Sequence, residues 1–221
     1  MIKVKICGIT NVEDALNSIA ACCDALGFVF YKKSPRYITP QKAGLIIKKL
    51  PAHIVKIGVF VNARENTVRK IATLCRLNML QFHGEESPEF CARFKGYKII
   101  KAFKVKNKIS LDKILSYKPF AYLFDTFSAA KMGGTGKRFN WELIRHLEGI
   151  RRPIFLSGGL NERNVSKAIK EIRPDWVDAC SSLECVPGNK DHIKVRRFVS
   201  LAKAKGRFSN QSKSVPSPGT L

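Results

Sequence analysis

A thiol at the end of one apolar run and a carboxyl at the end of another are the groups in this chain best suited to moving protons. The thiol is Cys7, closing Ile2-Lys3-Val4-Lys5-Ile6-Cys7; the carboxyl is Asp125, closing Phe120-Ala121-Tyr122-Leu123-Phe124-Asp125. Side chains alternate along a strand, so Lys3, Lys5 and Cys7 share a face. With Cys7 at the strand's open end, Lys5 lies beneath it, and a buried cation there favours the thiolate over a free thiol of pKa about 8.5. Cys7 then serves as a base near neutral pH; the competing reading is a small core thiol. A carboxyl at the edge of an apolar strand tends to a raised pKa, which suits Asp125 to general acid work. Its competing reading is a helix cap or a loop hydrogen-bonder.

Two further clusters suit an anion. Ser157-Gly158-Gly159-Leu160-Asn161 leads toward a helix, and Cys180-Ser181-Ser182 ends the last apolar run. Main-chain N–H groups at such turns cradle phosphate, and glycines let the backbone come close. Gly158, Gly159, Ser181 and Ser182 are therefore the expected phosphate contacts, with an ordinary tight turn as the alternative. The loop Met132-Gly133-Gly134-Thr135-Gly136-Lys137-Arg138 is not a P-loop: Lys131 stands where the first glycine is required, and Arg138 where Ser or Thr is. So many glycines suit a mobile lid. Arg36, in Ser34-Pro35-Arg36-Tyr37, offers a planar fork for a substrate carboxylate, and His83, in Gln81-Phe82-His83-Gly84, a hydrogen bond. A solvated arginine and a structural histidine are the plain alternatives.

These residues meet only if remote segments converge. Apolar strand candidates fall at residues 2–7, 25–30, 54–61, 79–82, 98–103, 122–125, 153–156 and 176–180. Helical spacing runs between them: Val12, Ala15, Leu16, Ile19, Ala20 and Cys23; Ala43, Ile46, Ile47 and Leu50; Val68, Ile71, Ala72 and Cys75. It returns at Val165, Ala168, Ile169 and Ile172, and at Val195, Phe198, Val199 and Ala202. Residues 109–117 and the stretch after Trp141 carry weaker helical patterns. Thr10-Asn11-Val12-Glu13 reads as a capping box, Thr39-Pro40 as an N-cap with proline behind it, and Asn161 as a plain N-cap. Strand and helix alternating about eight times favour an α/β fold, a (β/α)8 barrel of parallel strands ringed by helices. In such a barrel the C-terminal strand ends carry the chemistry.

Composition narrows the class. An apolar share of 45% fits a globular protein, and no run of 18 or more apolar residues argues for a membrane span. The N-terminus alternates lysine with apolar residues and has no apolar signal core, so the chain reads as mature and cytoplasmic. Seven cysteines without a Cys-x-x-Cys fit neither a disulfide framework nor a zinc site. The net charge of +23 raises a nucleic-acid partner. The lysines, however, are spread over every helical segment without interleaved aromatics, which reads as solvated outer faces. A positive field also draws in small anions. From Gly206 onward Ser, Pro, Gly, Asn and Gln dominate, so residues 206–221 are expected to be a disordered tail behind a single barrel domain of residues 1–205.

Assembled in order, these segments resemble the phosphoribosylanthranilate isomerases of tryptophan biosynthesis. Lys5-Ile6-Cys7-Gly8-Ile9-Thr10 is similar to that family's opening motif, and Leu26-Gly27-Phe28-Val29-Phe30, Ser34-Pro35-Arg36 and Val59-Phe60-Val61-Asn62 follow. Gln81-Phe82-His83-Gly84-Glu85, Gly133-Gly134-Thr135-Gly136-Lys137, Ser157-Gly158-Gly159-Leu160 and Pro187-Gly188-Asn189-Lys190-Asp191 continue the likeness to about Ala202. The resemblance implies an Amadori rearrangement of N-(5-phosphoribosyl)anthranilate to 1-(2-carboxyphenylamino)-1-deoxyribulose 5-phosphate, with no cofactor and no metal. It implies Cys7 as general base at the sugar C2 and Asp125 as general acid at the ring oxygen. Arg36 would meet the anthranilate carboxylate, Gly158, Gly159 and Ser181 the phosphate, and Asp178 takes the acidic position of the last strand. The chain departs from the family's Ser-Ser-Gly-Val-Glu at Cys180 and at Ser182, which adds a side chain where main chain should meet phosphate. Asn140 replaces an aspartate, and Phe82 a leucine. The readings held open beside it are another ribose-phosphate isomerase or epimerase on a phosphate-binding barrel, and a basic barrel that binds nucleic acid.

Overall fold

Eight short strands, nearly all buried, leave each sheet edge unpaired unless the first strand meets the last. In the computed structural model, which describes residues 1–105, 110–125 and 150–208, they do. The closed parallel barrel runs β1 (Lys3–Cys7), β2 (Ala25–Val29), β3 (Val55–Phe60), β4 (Met79–Phe82), β5 (Lys98–Lys104), β6 (Ala121–Asp125), β7 (Ile154–Ser157) and β8 (Trp176–Ala179). The pairing of β1 with β8 places Lys5 opposite Asp178 and Ile6 opposite Ala179. Alternation then sorts the side chains. Ala25, Ile57, Met79, Ile100, Leu123, Phe155 and Trp176 fill one cluster, with the Phe155 and Trp176 rings stacked at 4.7 Å. Val4, Ile6, Leu26, Phe28, Leu80, Phe124 and Val177 point the other way into the larger cluster shared with the helices. Phe82 belongs to this outer cluster and packs on Phe94 at 5.0 Å, so the larger ring is accommodated by an aromatic neighbour.

The helices are α1 (Val12–Ala20), α2 (Pro40–Ile47), α3 (Glu65–Leu74), α4 (Pro88–Ala92), α5 (Leu111–Leu115), α6 (Val165–Ile172) and α7 (His192–Phe208). Thr39 caps α2 as expected, accepting from the Lys42 N–H. The capping box at Thr10 does not form. Asn11 caps α1 through Oδ1 to the Asp14 N–H, because the Thr10 hydroxyl donates to the carbonyl of Gly188, far along the chain. Asn161 is not the cap of α6: it holds a preceding turn, its Oδ1 accepting from the Arg163 N–H, and the helix begins at Val165. The short helix α4 was missed, although Ser87-Pro88 marks it, the serine hydroxyl accepting from the Phe90 N–H. A two-stranded hairpin, β9 (Glu184–Val186) with β10 (Asn189–Lys190), follows β8. Helix α7 continues to Phe208, past the change of composition at Gly206. The glycine-rich loop at 132–138, Asn140 and the segment after Trp141 lie outside the described residues. Among the described residues no helix is long and apolar enough to cross a membrane.

Not every lysine is on an outer face. Lys5, Lys56, Lys101 and Lys190 are buried. Lys101 on β5 donates to Glu86 at 2.8 Å and to the Gly84 carbonyl, while Glu86 also accepts from the Asn62 and Gly84 N–H groups. One ion pair therefore joins the β3, β4 and β5 strand ends. Removing one partner of such a pair strands a charge. Glu86→Ala should lower stability by about 3–5 kcal/mol in urea unfolding, and Lys101→Met with Glu86→Leu should recover most of it. A single variant within about 1 kcal/mol of the parent would show that water or a rearranged neighbour replaces the carboxylate.

Candidate active site

Cys7 is the last residue of β1, and Lys5 lies beneath it with no exposed surface. An ammonium has three donors and no acceptor, so it must be met by acceptors on every side. Asp178 Oδ2 on β8 accepts at 3.1 Å and Gln81 Oε1 on β4 at 2.7 Å. Burial alone would push the ammonium's pKa down, but Asp178 and Cys7 together raise it above 10.5, so it stays charged. Close approach of the strands makes this possible: a Cβ on Gly27 would sit 2.7 Å from the Cys7 sulfur and 3.0 Å from Lys5 Cε. Glycine at that position of β2 leaves the thiol its place.

The Cys7 thiol is lowered from 9.0 to about 6, first by hydrogen bonding from the adjacent Cys180 thiol and then, against the cost of burial, by the Lys5 and Lys190 charges. Cys180 moves the opposite way, held protonated by the thiolate beside it and by burial. Cys23, Cys75 and Cys91, where burial is the largest cause, are pushed up to about 12, 11 and 11.

Asp125 ends β6 on the same rim, and its side chain is about one-fifth exposed. His83 Nε2 lies 3.2 Å from Asp125 Oδ2, and His83 Nδ1 lies 3.0 Å from Gln81 Nε2. Because Lys5 claims Gln81 Oε1, the amide NH2 must face the imidazole. Nδ1 is then an acceptor and the ring proton sits on Nε2, donating to Asp125. The network thus assigns the His83 tautomer. The Asp125 oxygen that meets the imidazole is Oδ2. One chain of contacts, Asp178–Lys5–Gln81–His83–Asp125, joins the two sides of the rim.

The turns expected to hold an anion follow β7 and β8. Gly158 and Gly159 have φ of +95° and +66°, backbone that an L side chain rarely adopts. Ser157 donates to Asp178 at 3.3 Å. Ser181–Leu183 form a single 3-10 turn after Cys180. The Ser182 hydroxyl donates to the Leu160 carbonyl, fastening this turn to the one after β7. The added side chain is therefore committed to a structural bond.

Arg36 and Asp178 are both engaged within the chain. Glu184 meets the Nε and Nη2 edge of Arg36 at 2.6–3.2 Å, raising the guanidinium pKa, and also accepts from Lys190 at 3.0 Å. A second carboxylate would meet the remaining Nη1 side. Asp178 is buried, and its Oδ1 has no hydrogen-bond partner among the described residues. Gln81, Gly27, Glu184, Lys190 and the Cys180 thiol were not singled out as site residues. The signal for Gln81 was available: a lone amide in the apolar run Met79-Leu80-Gln81-Phe82, on the face that looks into the barrel.

The fold and the titratable groups on one rim define a (β/α)8-barrel enzyme. A family pattern described as N-(5'phosphoribosyl)anthranilate (PRA) isomerase matches residues 4–201. The N-(5'-phosphoribosyl)anthranilate isomerase of Trichlorobacter lovleyi is 46% identical over 203 residues, 92% of this chain and 98% of that protein. That of Geotalea uraniireducens is 49% identical over 203 residues, with coverage of 92% and 99%. The crystal structure of phosphoribosyl anthranilate isomerase from Thermotoga maritima is 44% identical and superposes with a TM-score of 0.86, covering 92% of this chain and all of that one. Another, 42% identical with a TM-score of 0.84 and the same coverage, is in complex with reduced 1-(o-carboxyphenylamino)-1-deoxyribulose 5-phosphate. The chain belongs to the N-(5'-phosphoribosyl)anthranilate isomerase family.

The thiol assignments are open to direct measurement. Peptide-resolved alkylation by iodoacetamide should label Cys7 with a midpoint at a pH of about 6, while Cys23, Cys75 and Cys91 stay unlabelled until far more alkaline conditions. A Cys7 midpoint near that of an ordinary thiol would mean that Lys5 and Cys180 do not stabilise the thiolate.

Proposed function

We propose that this chain converts N-(5'-phosphoribosyl)anthranilate into 1-(2-carboxyphenylamino)-1-deoxyribulose 5-phosphate, with Cys7 as general base and Asp125 as general acid. The observation that carries the reading is the strand order around the ring. Between β6, which ends at Asp125, and β1, which ends at Cys7, lie β7 and β8 with their glycine and serine turns. A sugar whose phosphate is held at those two turns has the acid on one side and the base on the other. The phosphate takes main-chain N–H groups at Gly158, Gly159, Ser181 and Ser182. On the far side of Cys7, Arg36 offers its Nη1 side to the anthranilate carboxylate.

Asp125 gives its proton to the ring oxygen as the C1–O bond breaks, and the nitrogen lone pair forms the C1–N double bond. The resulting carboxylate keeps its hydrogen bond from His83 Nε2. Cys7 then removes the proton from C2, whose acidity is raised by the adjacent iminium, and electrons move toward nitrogen to give an enolamine. Loss of the C2 hydroxyl proton and protonation at C1 complete the aminoketone. Lys5 beneath the sulfur keeps it a thiolate before the transfer. Asp178 Oδ1, the buried acceptor without a partner among the described residues, would take a hydrogen bond from a ribose hydroxyl. Seven free cysteines fit a reducing compartment, and on that ground we place the chain in the cytoplasm.

The assay is purified protein with freshly made phosphoribosylanthranilate, following loss of substrate fluorescence. Cys7→Ala and Asp125→Asn should each lower kcat/KM by at least about a hundred- to ten-thousand-fold, with circular dichroism unchanged. Near-normal turnover in either variant sinks its assigned role. A base works deprotonated, so kcat/KM of the parent should rise with pH through about 6 and not first near 9. A protein that binds the substrate yet leaves its fluorescence intact would point to a different ribose-phosphate reaction.

A further inference from the structure

Cys180 is a second thiol beside the reacting one, and the isomerisation has no covalent use for it. β1 and β8 pair in parallel with Ile6 opposite Ala179; Cys7 and Cys180 are the next residues along, just past the end of that ladder, and their thiols are hydrogen-bonded. Neighbouring strands lie about 4.8 Å apart, inside the Cα separation of about 4.4–6.8 Å that a disulfide spans. Both side chains lie on the same side. Cys180 packs on the small cluster of Cys7, Val29 and Val59. Its sulfur is 2.8 Å from where a Cβ on Gly8 would be, directly over the turn that follows Cys7. Cys7 is buried and Cys180 partly open, so a small oxidant reaches the pair where a protein would not.

We propose that Cys7 and Cys180 form a reversible disulfide that switches the enzyme off in the presence of a hydroperoxide. The Cys7 sulfur attacks the peroxide, the O–O bond breaks, and a sulfenic acid forms as hydroxide leaves. Cys180 then attacks the sulfenic sulfur. The S–O bond breaks, the S–S bond forms, and the departing hydroxide takes the Cys180 proton and leaves as water. Two thiols surrender two electrons and the peroxide accepts them. The order follows from the site. While Cys7 is a thiolate it keeps Cys180 protonated; once Cys7 is a neutral sulfenic acid that hold is gone. Lys190 Nζ, 4.0 Å from the Cys180 sulfur and 3.2 Å from its carbonyl, then favours the Cys180 thiolate. A dithiol reductant reverses the bond by exchange.

The proposal rests on the role of Cys7 for its activity readout alone, because the cross-link is read separately by mass. The full chain is treated with a small excess of hydrogen peroxide, digested without reduction, and assayed in parallel. We expect a linked pair of peptides carrying Cys7 and Cys180, short of two hydrogens, which rises in step with the loss of turnover. Dithiothreitol should reverse both. In Cys180→Ser and Cys180→Ala no such link forms, Cys7 proceeds to the sulfinic acid, and dithiothreitol does not restore turnover. The proposal is overturned if the parent accumulates sulfinic Cys7 without the link, if links join other cysteines only, or if the Cys180 variants recover as fully as the parent. Should the protein lack isomerase activity altogether, the linked peptides still decide the question.

Discussion

The rest of the site depends on the ammonium of Lys5, a charge with no access to solvent inside the barrel. An unpaired ion there would cost several kcal/mol, so the fold must surround it with acceptors. Asp178 from β8, Gln81 from β4 and the sulfur of Cys7 from its own strand supply them. Each of those groups is thereby oriented, and none can be exchanged without leaving the cation short of a partner. The constraint reaches further through Gln81, whose amide has two ends of opposite sense. Fixing the oxygen on Lys5 fixes the nitrogen on His83, and the imidazole in turn presents N–H to Asp125. A single buried charge thus adds to the Cys180 hydrogen bond in lowering the Cys7 thiol and, through Gln81, orients the imidazole that meets Asp125.

A second network of charge surrounds the mouth. Glu184, on the small hairpin after β8, holds Arg36 from the loop after β2 and Lys190 from the opposing hairpin strand. Burial would push the Glu184 carboxyl up, but the Arg36 and Lys190 bonds lower it. The sum is one net positive charge beside the thiolate. With the main-chain dipoles of the turns after β7 and β8, this makes the C-terminal rim suited to a ligand that carries anionic groups at both ends. The high overall charge of the chain acts in the same direction.

The positions of the proposed base and acid were legible because they obey local rules. Strand alternation placed Lys5 under Cys7, and the ends of apolar runs placed Cys7, Asp125 and Ser157 on one rim, within a residue or two of the observed strand limits. What escaped is what depends on partners far along the chain. Thr10 carries the signature of a capping box, yet its hydroxyl is taken by Gly188 across the loop after β8. Ser182 looks like an obstruction to phosphate, yet its hydroxyl is fastened to Leu160. Glu184 and Lys190 sit in strands of three and two residues, too short for any periodicity to show. Gly27 reads as a weak point in a strand until the sulfur that needs its space is seen opposite.

The thiolate explains both the strength and the exposure of this site. A thiol serves as a base at neutral pH only if its surroundings hold it deprotonated, and a thiolate is also what peroxides attack. Cys180 and Lys5 supply that stabilisation, so the same neighbours that would fit Cys7 to the proposed proton removal also open it to attack on a peroxide. A hydroxyl at residue 180 could donate the same hydrogen bond but could not capture a sulfenic acid. With sulfur at both positions, the first product of oxidation has a partner within reach, and the damage stops at a state that reductants can reverse. The residue that tunes the base is then also the residue that protects it, and both properties come from one register of strand pairing between β1 and β8.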